Sequence, residues 1–116
     1  SNKLTMLPDS IRGLTALEEL VLQDNPLSTL PDAVGALRSL KKLWLGGTGL
    51  TELPACLFDL PQLEELELRG LPFRNLPPPD AFPMLRRIRI DRAREGAARQ
   101  WSRQRIRAGR PPLLVQ

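Results

Sequence analysis

Few residues in this chain are equipped for covalent or acid–base chemistry. Glu64, Glu65 and Glu67 crowd into the segment LEELEL, which invites a general-acid reading. Such a site needs an apolar pocket that raises one carboxyl above its neighbour. Glu65 and Glu67 alternate around a leucine and should share an open, solvated face, so acid–base catalysis is not expected there. The chain has no histidine, the usual general base and commonest metal ligand. Its lone cysteine, Cys56, permits no internal disulfide and lacks a nearby base or metal partner, so it reads as a small space filler. Gly46-Gly47 precedes no phosphate-loop lysine. No catalytic residue, metal or cofactor is therefore expected. What remains is recognition chemistry, carried by two tryptophans and an uneven charge. Residues 1–85 hold 7 basic and 11 acidic side chains, a balance of −4. Residues 86–116 hold 10 arginines, Asp91 and Glu95, a balance of +8.

These side chains are positioned by one phrase of 23 residues that starts at Leu4, Leu27, Leu50 and Phe73. It reads L-x-x-L-P-x-x-[IVL]-x-x-L-x-x-L-x-x-L-x-L-x-x-N-x, and the fourth copy is one residue short in its middle. A period of this length with this leucine pattern defines a leucine-rich repeat array. The expected fold class is α/β: a short right-handed horseshoe with parallel inner strands and helical or 3₁₀ convex turns. The inner strands fall at 17–22, 40–45, 63–68 and 85–90. Alternation places Leu20/Leu22, Leu43/Leu45, Leu66/Leu68 and Ile88/Ile90 in the core. The convex segments carry Leu7/Ile11/Leu14, Leu30/Val34/Leu37 and Leu53/Leu57/Leu60. Pro8, Pro31, Pro54 and Pro77 suit a first helical turn, where a missing N–H is harmless. The buried Asn position survives only as Asn25; Thr48 can replace its bond, while Leu71 and Ala93 cannot.

The same alternation builds three outward rows on the concave face. They are Glu19-Lys42-Glu65-Arg87, Val21-Trp44-Glu67-Arg89 and Gln23-Gly46-Arg69-Asp91. The first row alternates in sign and can satisfy itself as a solvated ladder worth little energetically. Trp44 differs: it should face outward, with Gly46 and Gly47 leaving a recess beside it, as a recognition anchor does. The competing reading lays it flat on Lys42 and Glu67. The candidate protein-binding set is Val21, Lys42, Trp44, Glu65, Glu67, Arg69, Arg87 and Arg89. Within it Glu65 should be replaceable, since Lys42 and Arg87 can turn to water.

Residues 1–92 are thus the repeats, about four with the first truncated. Residues 93–109 form a capping helix that lays Ala93, Ala97, Trp101, Gln104 and Ala108 over the last repeat and stops near Gly109. Residues 110–116 are a tail, either a linker or a strand addressed elsewhere. The array opens in mid-repeat, which suggests a piece cut from a longer solenoid with an uncovered edge at 18–22. Ser1-Asn2-Lys3 reads as an artificial start, so the absence of a leader carries little weight. No apolar run reaches the ~20 residues of a membrane span. The arginines of 86–107 have three readings: a solubilising face, a contact for an acidic protein surface, or a phosphate-binding patch for nucleic acid. Only Trp101 interleaves them with an aromatic.

The segments LEELELRGLPFRNLPP and LWLGGTGLTELP resemble the leucine-rich domain of XopL-type effectors, type III effectors of Xanthomonas plant pathogens. That resemblance implies a protein-binding module secreted into a host cell. It would select substrates, a host protein or ubiquitin-pathway component, for a separate E3 ubiquitin ligase domain with no counterpart in these 116 residues. The arginine-heavy stretch 86–107 departs from that pattern.

Overall fold

The structure, a computed structural model, describes residues 6–72 and 76–116. The repeat starts at Leu4 and Phe73 lie outside the described residues. Four three-residue strands run parallel: β1 (Glu19–Val21), β2 (Lys42–Trp44), β3 (Glu65–Glu67) and β4 (Arg87–Arg89). They are shorter than the six-residue segments expected, because the repeat turns away as soon as the ladder closes. Glu19, Lys42, Glu65 and Arg87 are lateral neighbours, as are Val21, Trp44, Glu67 and Arg89. Leu43, Leu66 and Ile88, central in β2 to β4, are fully buried, with Leu45, Leu68 and Ile90 behind them. Leu20 is only half-buried in β1, which is one edge strand of the sheet.

The strands stop where the backbone turns left-handed. Asp24, Gly47 and Gly70 occupy equivalent positions with φ of 62°, 73° and 72°. Glycine adopts this conformation without penalty, and a short polar side chain tolerates it. One residue on, the Asn25 amide donates to the Leu22 carbonyl at 2.9 Å, and the Thr48 hydroxyl to the Leu45 carbonyl at 2.8 Å. Leu71 joins the core instead, and the Gly70 N–H just before it is taken by the Asp91 carboxylate at 2.9 Å. The third loop is thus satisfied by a side chain from the next repeat.

On the convex side the chain forms 3₁₀ turns at Asp9–Gly13, Asp32–Ala36 and Ala55–Leu57. Pro8, Pro31 and Pro54 precede these turns in extended backbone rather than occupying the first turn. Their fixed φ suits that extended position, and their carbonyls accept the first turn bond at 3.1 Å in each case. Pro77 precedes no such turn. Leu37 and Leu60 are sealed, whereas the equivalent Leu14 is 52% exposed.

The short fourth repeat is resolved by one irregular residue. Phe82 has φ of 55°, a left-handed conformation that is uncommon for a bulky side chain. Its ring is fully buried edge-on against Phe58, 5.9 Å between centroids, and its N–H donates to the Phe58 carbonyl at 2.8 Å.

The C-terminal region departs most from expectation. A 3₁₀ turn at Arg92–Arg94 leads into α1 (Glu95–Arg107), which ends at Gly109 with φ of 84°. The buried face of α1 is Ala98, Trp101, Ser102 and Arg105, an i, i+3, i+4, i+7 stripe. Of the expected stripe only Trp101 is buried; Ala93, Ala97, Gln104 and Ala108 face water. The helix is rotated because Arg105 must enter the protein. It is fully buried and donates to the carbonyls of Pro79, at 3.1 Å, of Ala81, and of Phe82, at 2.7 Å. Burial, with Arg110 nearby as a lesser cause, pushes its pKa down to about 10. The Trp101 indole N–H donates to the Pro77 carbonyl at 2.8 Å, and the Arg105 guanidinium lies 4.9 Å from its ring.

The tail returns to the sheet. Leu114–Val115 is β5, parallel to β4 in the same sheet. Its ladder includes Leu114 N–H to the Arg86 carbonyl at 2.8 Å and Gln116 N–H to the Ile88 carbonyl at 2.9 Å. The crossover through α1 is what parallel pairing requires. The Ser102 hydroxyl accepts from the Leu113 N–H at 3.0 Å and fastens the returning strand to the helix.

Truncation of Trp101 to Ala is expected to lower the unfolding free energy by about 3–5 kcal/mol in denaturant melts. Amide protection in β5 should be lost before that in β2 and β3. Coincident melts for Trp101→Ala and wild type would remove this side chain from the closure of the C-terminal end.

Candidate functional site

The concave face brings the candidate residues together around Trp44. The indole N–H donates to Glu65 Oε2 at 2.5 Å. Lys42 Nζ lies 4.8 Å from the ring centroid and the Arg89 guanidinium 5.4 Å, both within cation–π range. Arg87 donates to Glu65 Oε1 at 3.1 Å, and Arg89 Nε forms an ion pair with Glu65 Oε2 at 3.4 Å. One carboxylate therefore holds a tryptophan and two arginines, while Lys42 has no ion pair among the described residues.

Two expectations fail here. Glu65 and Glu67 are not solvated: they are 8% and 1% exposed. The side chains beside Glu65 are longer and close over it. Glu67 curls into the space that Gly46 leaves, where it accepts the Gly46 N–H at 2.7 Å and the Arg69 N–H at 3.0 Å. Glu67 thus fills the space between Gly46 and Trp44, and the open hollow of about 320 Å³ lies further along, lined by Asp24, Gly46, Gly47, Glu67, Arg69 and Gly70 among others but not by Trp44. A Cβ at Gly46 would collide with the Glu67 carboxylate and come within 2.9 Å of the Arg69 carbonyl oxygen. Nor is Glu65 a dispensable member of a solvated ladder; it is the hub of the cluster.

Burial alone would push the Glu65 carboxyl up. The Trp44 N–H, the Arg87 bond and the charges of Arg89 and Lys42 outweigh it and hold the group below its usual range. This is a carboxylate locked in its ionised form, unsuited to donating a proton at neutral pH. No cluster of metal-ligating side chains occurs among the described residues. Cys56 sits half-buried in the convex turns with its thiol pushed up by burial and by Asp32, the reverse of what a nucleophile requires.

The other candidates surround this centre. Val21 is 50% exposed beside Trp44 on β1, and Arg69 is exposed where β3 ends. On the lip of the strands, Glu18, Lys41, Glu64 and Arg86 alternate in sign, with a Glu18–Lys41 pair at 3.5 Å. They enclose a cleft of about 300 Å³ together with Glu19, Lys42, Glu65 and Arg87. A larger groove of about 620 Å³ lies between Leu76–Pro79 and α1, where Arg94 is the one charged side chain among its described lining residues.

The arginine-rich segment is divided by the fold. Arg105 is internal, Arg87 and Arg89 belong to the concave centre, and Arg99 pairs with Glu95 at 3.5 Å on α1. The buried role of Arg105 had no sequence signal distinguishing it from its neighbours. That of β5 had a weak one, the apolar triplet Leu113-Leu114-Val115.

Parallel strands one repeat apart, joined through 3₁₀ turns, define a leucine-rich repeat solenoid. A leucine rich repeat family profile matches residues 16–71. The fold is similar to the solved structure of LIC12759, an LRR protein of Leptospira interrogans. Identity is 29%, the TM-score is 0.61, and the match covers 99% of this chain. It covers 23% of that chain, so the present chain spans under a quarter of its neighbour's length. No curated protein matches the chain.

The Glu65 hub makes a pH prediction. A carboxyl whose folded pKa is depressed stabilises the fold above its unfolded value of about 4.3. That contribution shrinks as pH falls through the lower folded value. Acid titrations of stability from neutral pH downward should show a loss below about pH 4.3 that Glu65→Gln lacks. Parallel curves for the two proteins would show that the hub does not hold in solution.

Proposed function

We propose that the chain is a protein-recognition module that binds its partner on the concave face, centred on Trp44. Leucine-rich repeat domains generally mediate protein–protein interaction, and a profile of that family matches residues 16–71. The observation that carries the reading is the restraint on Trp44. It is half-buried, bonded through its N–H and flanked by two cations, so a partner need not immobilise it. Pre-ordered aromatic and arginine side chains are the usual dominant contributors to an interface. The resemblance of LEELELRGLPFRNLPP and LWLGGTGLTELP to XopL-type effectors supports a finer reading. In it, the module selects substrates for an E3 ubiquitin ligase domain of a bacterial effector secreted into host cells, and is not itself an enzyme. Autoubiquitination by the full-length protein tests that finer reading, and its absence would leave only the recognition role.

Trp44→Ala is expected to leave the leucine core intact, since the ring faces away from it, while loosening Glu65, which loses its N–H donor. It should weaken partner binding by about 2 kcal/mol, roughly thirtyfold. Quantitative affinity purification with wild type, Trp44→Ala and Arg103→Ala, an exposed α1 control, checks this. Specific partners should drop out with Trp44→Ala alone. Loss with Arg103→Ala instead would move the site to the helix.

A further inference from the structure

We infer that the concave site selects an acidic peptide segment of its partner protein, with carboxylates seated on Lys42, Arg87 and Arg89 around the Trp44 ring. This rests on the concave-face reading and deepens it. The first argument is what each charge does. Around Trp44 the described side chains include Lys42, Arg69, Arg87 and Arg89 against Glu65 and Glu67. Both carboxylates are nearly sealed and spent internally: Glu65 on Trp44, Arg87 and Arg89, and Glu67 on two backbone N–H groups. The cations stay accessible, with the Arg87 side chain 44% exposed and that of Arg89 30%. The centre thus presents donors outward and hides its acceptors.

The second argument is donor count. A guanidinium has five N–H donors and an ammonium three. Glu65 takes one hydrogen bond from Arg87 and an off-distance ion pair from Arg89, and Lys42 has no ion pair among the described residues. Carboxylates of an incoming chain find unspent, charge-assisted donors here. Glu65 fixes where those donors sit, while Trp44 and the half-exposed Val21 offer apolar area for a side chain between two acidic residues.

The third argument is direction. Among the described concave rows an exposed unpaired carboxylate, Glu19, stands on β1, whereas Arg87 and Arg89 stand on β4. Along the strands the accessible charge passes from Glu19 on β1 to Arg87 and Arg89 on β4, with Glu64 exposed on the lip just before β3. An acidic segment should therefore lie across β2 to β4 and avoid β1. The arginines of α1 do not share this arrangement, since they lie on another element and lack an aromatic held by a carboxylate hub.

The experiment uses fluorescein-labelled decapeptides that share a central Leu and differ in net charge from strongly acidic to strongly basic. Binding to the whole chain is followed by fluorescence polarisation at low and moderate salt. Affinity should rise with acidic charge and fall with added salt. Lys42→Glu and Arg89→Glu should each lower it tenfold or more, while Arg103→Glu, an identical charge change on α1, should lower it less than twofold. Trp44→Ala should weaken acidic peptides at either salt level. A single-stranded oligonucleotide of matched charge is the counter-probe; Trp44-dependent binding as tight as the peptide's would overturn the peptide assignment. If no acidic peptide binds while Trp44→Ala still loses its specific partners in purification, the inference fails and the concave reading stands. If acidic peptides bind but respond only to Arg103→Glu, the inference fails, and the concave reading fails with it only where specific partners are also lost with Arg103→Ala rather than Trp44→Ala.

Discussion

Every residue of an inner strand sits beside its equivalent one repeat away, and this lateral register governs the rest of the molecule. Strand side chains alternate between two faces, so a slip by one residue would exchange them. Leu66 would turn to solvent, and Glu65 and Glu67 would turn into a core of leucines. The register must also survive a repeat that is one residue short. Glu65 pairs with Arg87, 22 positions on, as faithfully as Lys42 pairs with Glu65, 23 positions on. Between β3 and β4, Phe82 takes a left-handed conformation. Such backbone strain is of order 1–3 kcal/mol. It is offset by complete burial of the ring, by its edge contact with Phe58 and by the bond from Arg105 to its carbonyl.

Arg105 is thus a consequence of that missing residue. The irregular path from Pro79 to Phe82 turns three carbonyls toward Arg105; that of Phe82 also accepts the Leu85 N–H at 3.1 Å, while those of Pro79 and Ala81 have no backbone partner among the described residues. Unpaired buried carbonyls are destabilising, and a guanidinium can reach several at once from one helix position. The helix rotates to deliver it, and in that rotation Trp101 reaches the Pro77 carbonyl and Ser102 faces the returning tail. The orientation of α1, the path of the chain after Gly109 and the placement of β5 all follow from satisfying one loop.

What was legible in the sequence was whatever depended on period alone. Spacing was enough to place Leu43, Leu66 and Ile88 in the core and to set Lys42, Trp44, Glu65 and Arg87 in adjacent positions facing the other way. Period states a direction, not what a neighbour covers. Glu67 points to the concave side as expected, yet it is buried because Gly46 leaves it room to fold back onto two N–H groups. Glu65 is buried because Trp44, Arg87 and Arg89 reach across it. The α1 face was misread for a related reason. Alanine and tryptophan suggest a stripe by hydropathy, and hydropathy ranks arginine as surface. Nothing in ARQWSRQRIR marks one arginine as internal; that requirement comes from a loop more than twenty residues earlier. The tail was legible as a strand from Leu113-Leu114-Val115, but its place in this sheet was not, because Pro111-Pro112 resembles a break.

The concave centre and the arginine-bearing helix offer similar chemistry on different terms. An exposed arginine on α1 that is ordered by a partner loses rotamer freedom worth about 0.5–1.5 kcal/mol. Arg87 and Arg89 have surrendered part of that freedom already, because Glu65 holds both, and Glu65 is held by the strand ladder and the Trp44 N–H. The carboxylate that lowers the formal positive charge of the site is therefore also what makes its cations usable. Removing it would raise the charge and loosen the geometry, and tight recognition depends on the second. The buried acid is best understood as the support on which a positive surface is built.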